Sequence, residues 1–106
     1  HMEKLENIAG KKGTVDAKRD LLASYENLSN IYNERNDFEG IVKYYLKSLE
    51  VYEDLAATTG TAEAKHELAE NYKDLATLYN YHGHFENSEK YGIKAIQSIR
   101  AKNNEL

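Results

Sequence analysis

A shift of 47 residues lays this chain over itself, and that self-similarity constrains its fold more than any other feature. Residues 17–53 then cover residues 64–100 without a gap, and 12 of the 37 positions are identical. Coincidence gives about two or three. The identities are Ala17/Ala64, Lys18/Lys65, Leu21/Leu68, Tyr25/Tyr72, Leu28/Leu75, Tyr32/Tyr79, Asn33/Asn80, Phe38/Phe85, Glu39/Glu86, Lys43/Lys90, Tyr44/Tyr91 and Lys47/Lys94. Ile31/Leu78, Leu46/Ile93 and Leu49/Ile96 are conservative. A unit that recurs in this way is one supersecondary motif, which buries its apolar face by stacking on its neighbours. The offset continues upstream, where Gly13-Thr14 lies over Gly60-Thr61 and Leu5, Ile8 and Ala9 over Tyr52, Leu55 and Ala56. The expected organisation is a single helical-repeat domain over 1–106. Residues 2–10 read as the tail of a preceding repeat, 14–58 as the first full repeat and 61–103 as the second. No capping repeat with a polar outer face is apparent, so the chain reads as cut from a longer array. The leading His1-Met2 pair reads as a cloning remnant.

Each repeat predicts two antiparallel helices. Leu21, Tyr25, Leu28 and Tyr32 recur at four- and three-residue steps, one face of a 3.6-period helix over 16–35, with Leu22 and Ile31 widening the stripe. Thr14 is placed to cap it, and Asp16 suits the positive end of its dipole. A break at Asn36-Asp37 leads to a second helix over 38–58 with Phe38, Ile41, Val42, Tyr45, Leu49, Tyr52 and Leu55 inward. Gly60 ends it, as a residue that tolerates the left-handed conformation. The second copy predicts helices over 63–81 and 85–103 about a turn at His82-Gly83-His84. Leu68, Tyr72, Leu75, Leu78 and Tyr79 face inward on the former, and Phe85, Ala95, Ile96 and Ile99 on the latter. Small residues at Ser48, Ala76 and Ala95 allow close helix approach. Of the two glycines within helices, Gly40 sits near a start, while Gly92 is expected to face the first helix of its repeat in close contact. There is no proline, the residue that most strongly interrupts helices.

These residues carry a family resemblance. Tyr25-x-x-Leu28-Ser29-x-x-Tyr32 followed by Asn36, Phe38, Ile41, Tyr45 and Ser48 resembles a tetratricopeptide repeat. So does Tyr72-x-x-Leu75-Ala76-x-x-Tyr79 followed by Gly83, Phe85, Ser88, Gly92 and Ala95. The chain departs from the family in its 47-residue period against a usual 34, which lengthens both helices. Asn36 also stands where glycine is usual, Ile41 replaces an alanine, Gly92 replaces an aromatic, and the proline after the second helix is missing. The long form is similar to bacterial regulatory and scaffold repeats. The resemblance implies an all-α fold of antiparallel helical hairpins stacked as a right-handed solenoid. It also implies a concave face, made by the first helix of each repeat, that holds a peptide or partner domain, with no cofactor and no intrinsic chemistry.

On this register the first-helix residues outside the core stripe are Ala23, Glu26, Asn27, Asn30, Asn33 and Glu34, with counterparts Glu70, Lys73, Asp74, Thr77, Asn80 and Tyr81. The binding candidates among them are Asn30, Asn33, Glu34, Lys73, Thr77, Asn80 and Tyr81. An asparagine side chain can bond a peptide backbone as donor and acceptor together. Tyr81 suits an aromatic anchor. Lys73 and Asn30 occupy places that a carboxylate clamp would use, but Glu26 and Glu70 oppose one. A mildly acidic surface favours a partner with basic or polar side chains.

Other chemistries find little here. The formal net charge of -4 gives no positive surface for nucleic acid. The cluster Lys11, Lys12, Lys18 and Arg19 reads as a solvated loop and first turn. No apolar run is long enough to span a bilayer. Absence of cysteine removes thiol chemistry and points to a reducing compartment, the cytoplasm. His82 and His84 flank a turn that splays them, with only His66 and Glu86 imaginable as further metal ligands. Glu53-Asp54 and similar acidic pairs are adjacent and cannot face each other across a cleft. The chain is therefore expected to be no enzyme. If the whole protein is one, its catalytic part lies outside this sequence. Two alternatives to partner recognition stand: a structural spacer, or a self-association region pairing through apolar ends at Leu5, Ile8, Ile96 and Ile99.

Overall fold

The computed structural model describes residues 14–104, with side chains described to Arg100. Among them are four α-helices: α1 (Val15–Glu34), α2 (Phe38–Thr59), α3 (Ala62–Tyr81) and α4 (Phe85–Asn104). The reading of residues 2–10, and with it Leu5, Ile8, Lys11 and Lys12, lies outside the described residues.

Local chemistry sets the ends of these helices. Thr14 Oγ1 accepts the Ala17 N–H at 3.1 Å, and Thr61 Oγ1 accepts the Ala64 N–H at 3.1 Å. Each satisfies one of the amides a helix start leaves without an intrahelical partner. Asp37 Oδ1 does the same for Gly40 at the start of α2, at 3.1 Å. Both first helices close alike. The Asp37 N–H donates to the Tyr32 carbonyl (2.9 Å) and the Asn36 N–H to that of Asn33 (3.1 Å). In the second copy His84 donates to Tyr79 (2.8 Å) and Gly83 to Asn80 (3.1 Å). This paired closure needs a left-handed residue, supplied by Asn36 (φ 55°) and Gly83 (φ 79°). Asparagine visits that region more readily than most non-glycine residues, which is why it can replace glycine in the first copy.

The described chain divides into two compact units, the boundary falling between Val51 and Tyr52 inside α2. In the first, Leu21 and Tyr25 form the core, with Ala17, Tyr44 and Val51 packed against them. Tyr32 lies against Gly40 and Tyr44, while Tyr25 meets Tyr44 and Lys47. Partner numbers on α2 rise as those on α1 fall, so the two helices run antiparallel. In the second unit Leu55 and Leu75 are fully buried, and Ala64, Ala69, Tyr72, Tyr79 and Ala95 are buried as well. Complete burial of a leucine side chain contributes about 1.5–3 kcal/mol. Ser88 Oγ donates to the Ala76 carbonyl at 2.8 Å, tying α4 to α3. Tyr79 meets Tyr91 and His84, and Tyr72 meets Tyr91 and Lys94, the same antiparallel order.

Four residues expected inward are exposed: Ile31, Phe85, Ile96 and Ile99. Periodicity marks a stripe but not its width. Ile31 lies at the stripe's edge, Phe85 is the first residue of α4, Ile96 lies beside buried Ala95, and Ile99 lies one turn beyond it. Lys18, read as solvated, is buried at 9% exposure. A lysine stem is apolar enough to line a core. Gly92 does face α3, where an added Cβ would sit 4.0 Å from Ala76 Cβ, an ordinary contact. The closely packed glycine is Gly40, whose Cβ would collide with the Tyr32 ring.

Candidate functional site

Three tyrosines and two lysines that recur at the 47-residue offset meet the same ring neighbours in both copies. The Tyr25 and Tyr44 ring centroids are 5.9 Å apart, and those of Tyr72 and Tyr91 are 6.3 Å apart. Tyr32 stacks on Tyr44 at 5.7 Å and 16°, and Tyr79 on Tyr91 at 5.8 Å and 6°. Lys43 lies 5.4 Å from the Tyr44 centroid and Lys90 5.3 Å from that of Tyr91. Lys47 is 5.9 Å from Tyr25 and Lys94 5.8 Å from Tyr72. Each hairpin is thus joined by three tyrosines and one lysine, with a second lysine lying against the central tyrosine on its own helix. Such aromatic pairs contribute about 0.5–1.5 kcal/mol beyond the area they bury, and exposed cation–π contacts about 0.5–1 kcal/mol. The sequence showed these identities but not their joint role. The clue was Lys43, Tyr44 and Lys47, spaced to share one side of α2.

The candidate binding residues lie outside this framework. Asn30, Asn33 and Glu34 are exposed on α1, three and four residues apart and so on one face. Lys73, Thr77, Asn80 and Tyr81 are exposed on α3 at spacings of four, three and one. Thr77 Oγ1 donates to the Lys73 carbonyl at 3.0 Å, which turns its hydroxyl back onto the helix. Tyr81 is 84% exposed and packs edge-on against His82 at 5.2 Å. Each set is gathered on its own helix. The backbone carbonyls of Asn33 and Asn80 close their helices, a task any residue type could perform, so their side chains are not required for it.

A concave site occurs elsewhere on the second unit. Tyr52, near the end of α2, and His66, Glu67, Glu70, Asn71 and Asp74 of α3 line a cleft of about 130 Å³. Asn71 is 8% exposed, and its Oδ1 is buried with no hydrogen-bond partner among the described residues. His66 Nε2 lies 3.8 Å from Glu70 Oε1. Loss of hydration holds the Asp74 carboxyl above the usual aspartate range, the Glu70 charge adds to this, and Lys73 opposes it. On the opposite side of α3, the Tyr72 hydroxyl donates to Glu53 Oε2 at 2.8 Å. Sequence reading placed Glu70 and Asp74 beside the binding face but missed the cleft. Nothing in the spacing says that Asn71 is buried.

His82 and His84 turn to different rings, those of Tyr81 and Tyr79. Among the described residues no three histidine or acidic side chains converge to hold a metal ion. No helix of the described chain is long and apolar enough to cross a membrane.

No curated protein and no solved structure gives a significant match to this chain. A family comparison does match, over one helix–turn–helix stretch from the core of α1 to the last turn of α2. Over residues 21–56 the chain is similar to the tetratricopeptide repeat.

Proposed function

We propose that this chain is a non-catalytic recognition module that holds a protein or peptide on the exposed faces of its first helices, α1 and α3. The observation that carries the reading is a separation of roles. The repeated tyrosines pack the two helices of each hairpin together, whereas Asn30, Asn33, Glu34, Lys73, Thr77, Asn80 and Tyr81 are exposed, the repeated pair Asn33 and Asn80 among them. Similarity to the tetratricopeptide repeat over residues 21–56 supports it, because repeats of this architecture are generally associated with protein–protein interaction. The asparagines supply paired backbone recognition, and Tyr81 supplies a large contact area. Placement in the cytoplasm rests on the cysteine-free sequence.

The test is affinity capture from source cells by the full-length protein, with Asn30, Asn33 and Asn80 changed together to alanine. Capture of a partner should weaken by at least tenfold, roughly one lost hydrogen bond to a charged group or two neutral ones. Helical circular dichroism should be unchanged. Undiminished capture removes these residues from the site. A second reading, self-association, is favoured by Phe85, Ile93, Ile96 and Ile99, which leave apolar surface exposed on α4.

A further inference from the structure

The cleft on α3 gathers three carboxylates beside Tyr52, His66 and Asn71. The carboxyl groups of Glu67, Glu70 and Asp74 supply acceptor oxygens, and the Asn71 atom buried without a partner among the described residues is its carbonyl oxygen. A buried acceptor left unpaired is costly, so native proteins nearly always satisfy one. The first copy builds its helix without most of these groups. At the 47-residue offset His66, Glu67, Glu70, Asn71 and Asp74 correspond to Arg19, Asp20, Ala23, Ser24 and Asn27, which carry one carboxylate and one balancing cation. The second copy has added negative charge and a buried amide where the first builds its helix with alanine and serine.

The group that complements this lining is a cation that also donates hydrogen bonds. A metal ion does not fit, because the carboxylates do not converge on one point. A planar guanidinium does fit, since its five N–H groups spread over several acceptors. The cleft volume of about 130 Å³ is several times a water molecule's share of the liquid, about 30 Å³. Tyr52 in the lining offers a ring against which guanidinium stacks favourably.

We propose that this cleft receives an arginine side chain of a partner protein, whose guanidinium donates to Asn71 Oδ1 and to the carboxylates of Glu70 and Asp74. The proposal deepens the recognition reading by assigning the chemistry of one partner side chain.

The test needs no knowledge of the partner. The protein is titrated with the blocked tripeptide acetyl-Gly-Arg-Gly-amide and with its citrulline counterpart, followed by nuclear magnetic resonance. The arginine peptide should give saturable shifts centred on the Asn71 side-chain amide and its neighbours, and the citrulline peptide should give none. Glu70→Gln with Asp74→Asn should weaken the arginine peptide by about tenfold or more, the scale of one charge-assisted hydrogen bond. The Asn30, Asn33 and Asn80 triple variant should bind the tripeptide as the parent does, so the cleft and the asparagine face fail separately. Equal response to arginine and citrulline, or shifts scattered over acidic residues throughout the chain, would overturn the proposal, and this comparison requires no variant to fold.

Discussion

Tyr72 is buried, yet its hydroxyl reaches the exposed Glu53 carboxylate at 2.8 Å. Burial raises its pKa most, followed by the hydrogen bond it donates to Glu53 and then by the charges of Glu53 and Tyr91. Burial and Tyr91 raise that of Tyr79. In both cases the folded chain keeps the phenolic proton longer than the unfolded chain does. The stability that follows is fully present below the ordinary tyrosine value of about 10 and is lost as pH climbs above it. Stability measured by urea unfolding should therefore fall on the alkaline side of that value. Phenolate absorbance from these two side chains should develop last, together with unfolding. Tyr72→Phe should cost about 0.5–1.5 kcal/mol at neutral pH and flatten the alkaline decline. An unaltered decline in that variant would show that Tyr72 is not its source. The sequence placed Tyr72 in the core but could not reveal its partner, because Glu53 lies 19 positions away on another helix.

At the scale of the element, much was legible. The capping threonines, the left-handed residues after α1 and α3, and the apolar stripes place all four helices within about a residue of where they lie, because helix ends are decided by groups three or four residues apart. What was not legible was the rotation of each helix about its axis. The sequence pointed to Gly92 as the close contact, but the Tyr32 ring lies over Gly40. Two alanine substitutions with opposite expected signs follow. Gly40→Ala drives a Cβ into a rigid ring and should destabilise the chain by about 1–3 kcal/mol. Gly92→Ala meets only Ala76 at 4.0 Å and should stabilise it by about 0.5–1 kcal/mol through helix propensity. Urea midpoints at unchanged slope measure both. If Gly40→Ala were neutral, the contact between Tyr32 and the start of α2 would be wrong.

For the molecule as a whole, the open question is what covers the apolar surface of α4. Ile93 and Ile96 are exposed, whereas their counterparts at the 47-residue offset are not: Leu46 is half-buried and Leu49 buried. If a second copy covers this surface, sedimentation should show an associated species that dissociates on dilution, and Ile96→Lys should shift it to monomer at any concentration. A single monomeric species across the dilution series would eliminate the self-association reading and leave partner recognition standing. The helical class, the four elements, their caps and the duplicated pattern of tyrosine, leucine and lysine were set by residues near one another in the chain or matched at one fixed offset, and so could be read directly. Which isoleucines stayed in water, which glycine touched a ring, and that Asn71 was buried beside three carboxylates were decided only by tertiary structure. Each depends on the angle at which one helix meets another, a quantity fixed by the sum of many side-chain contacts and carried by no single stretch of sequence.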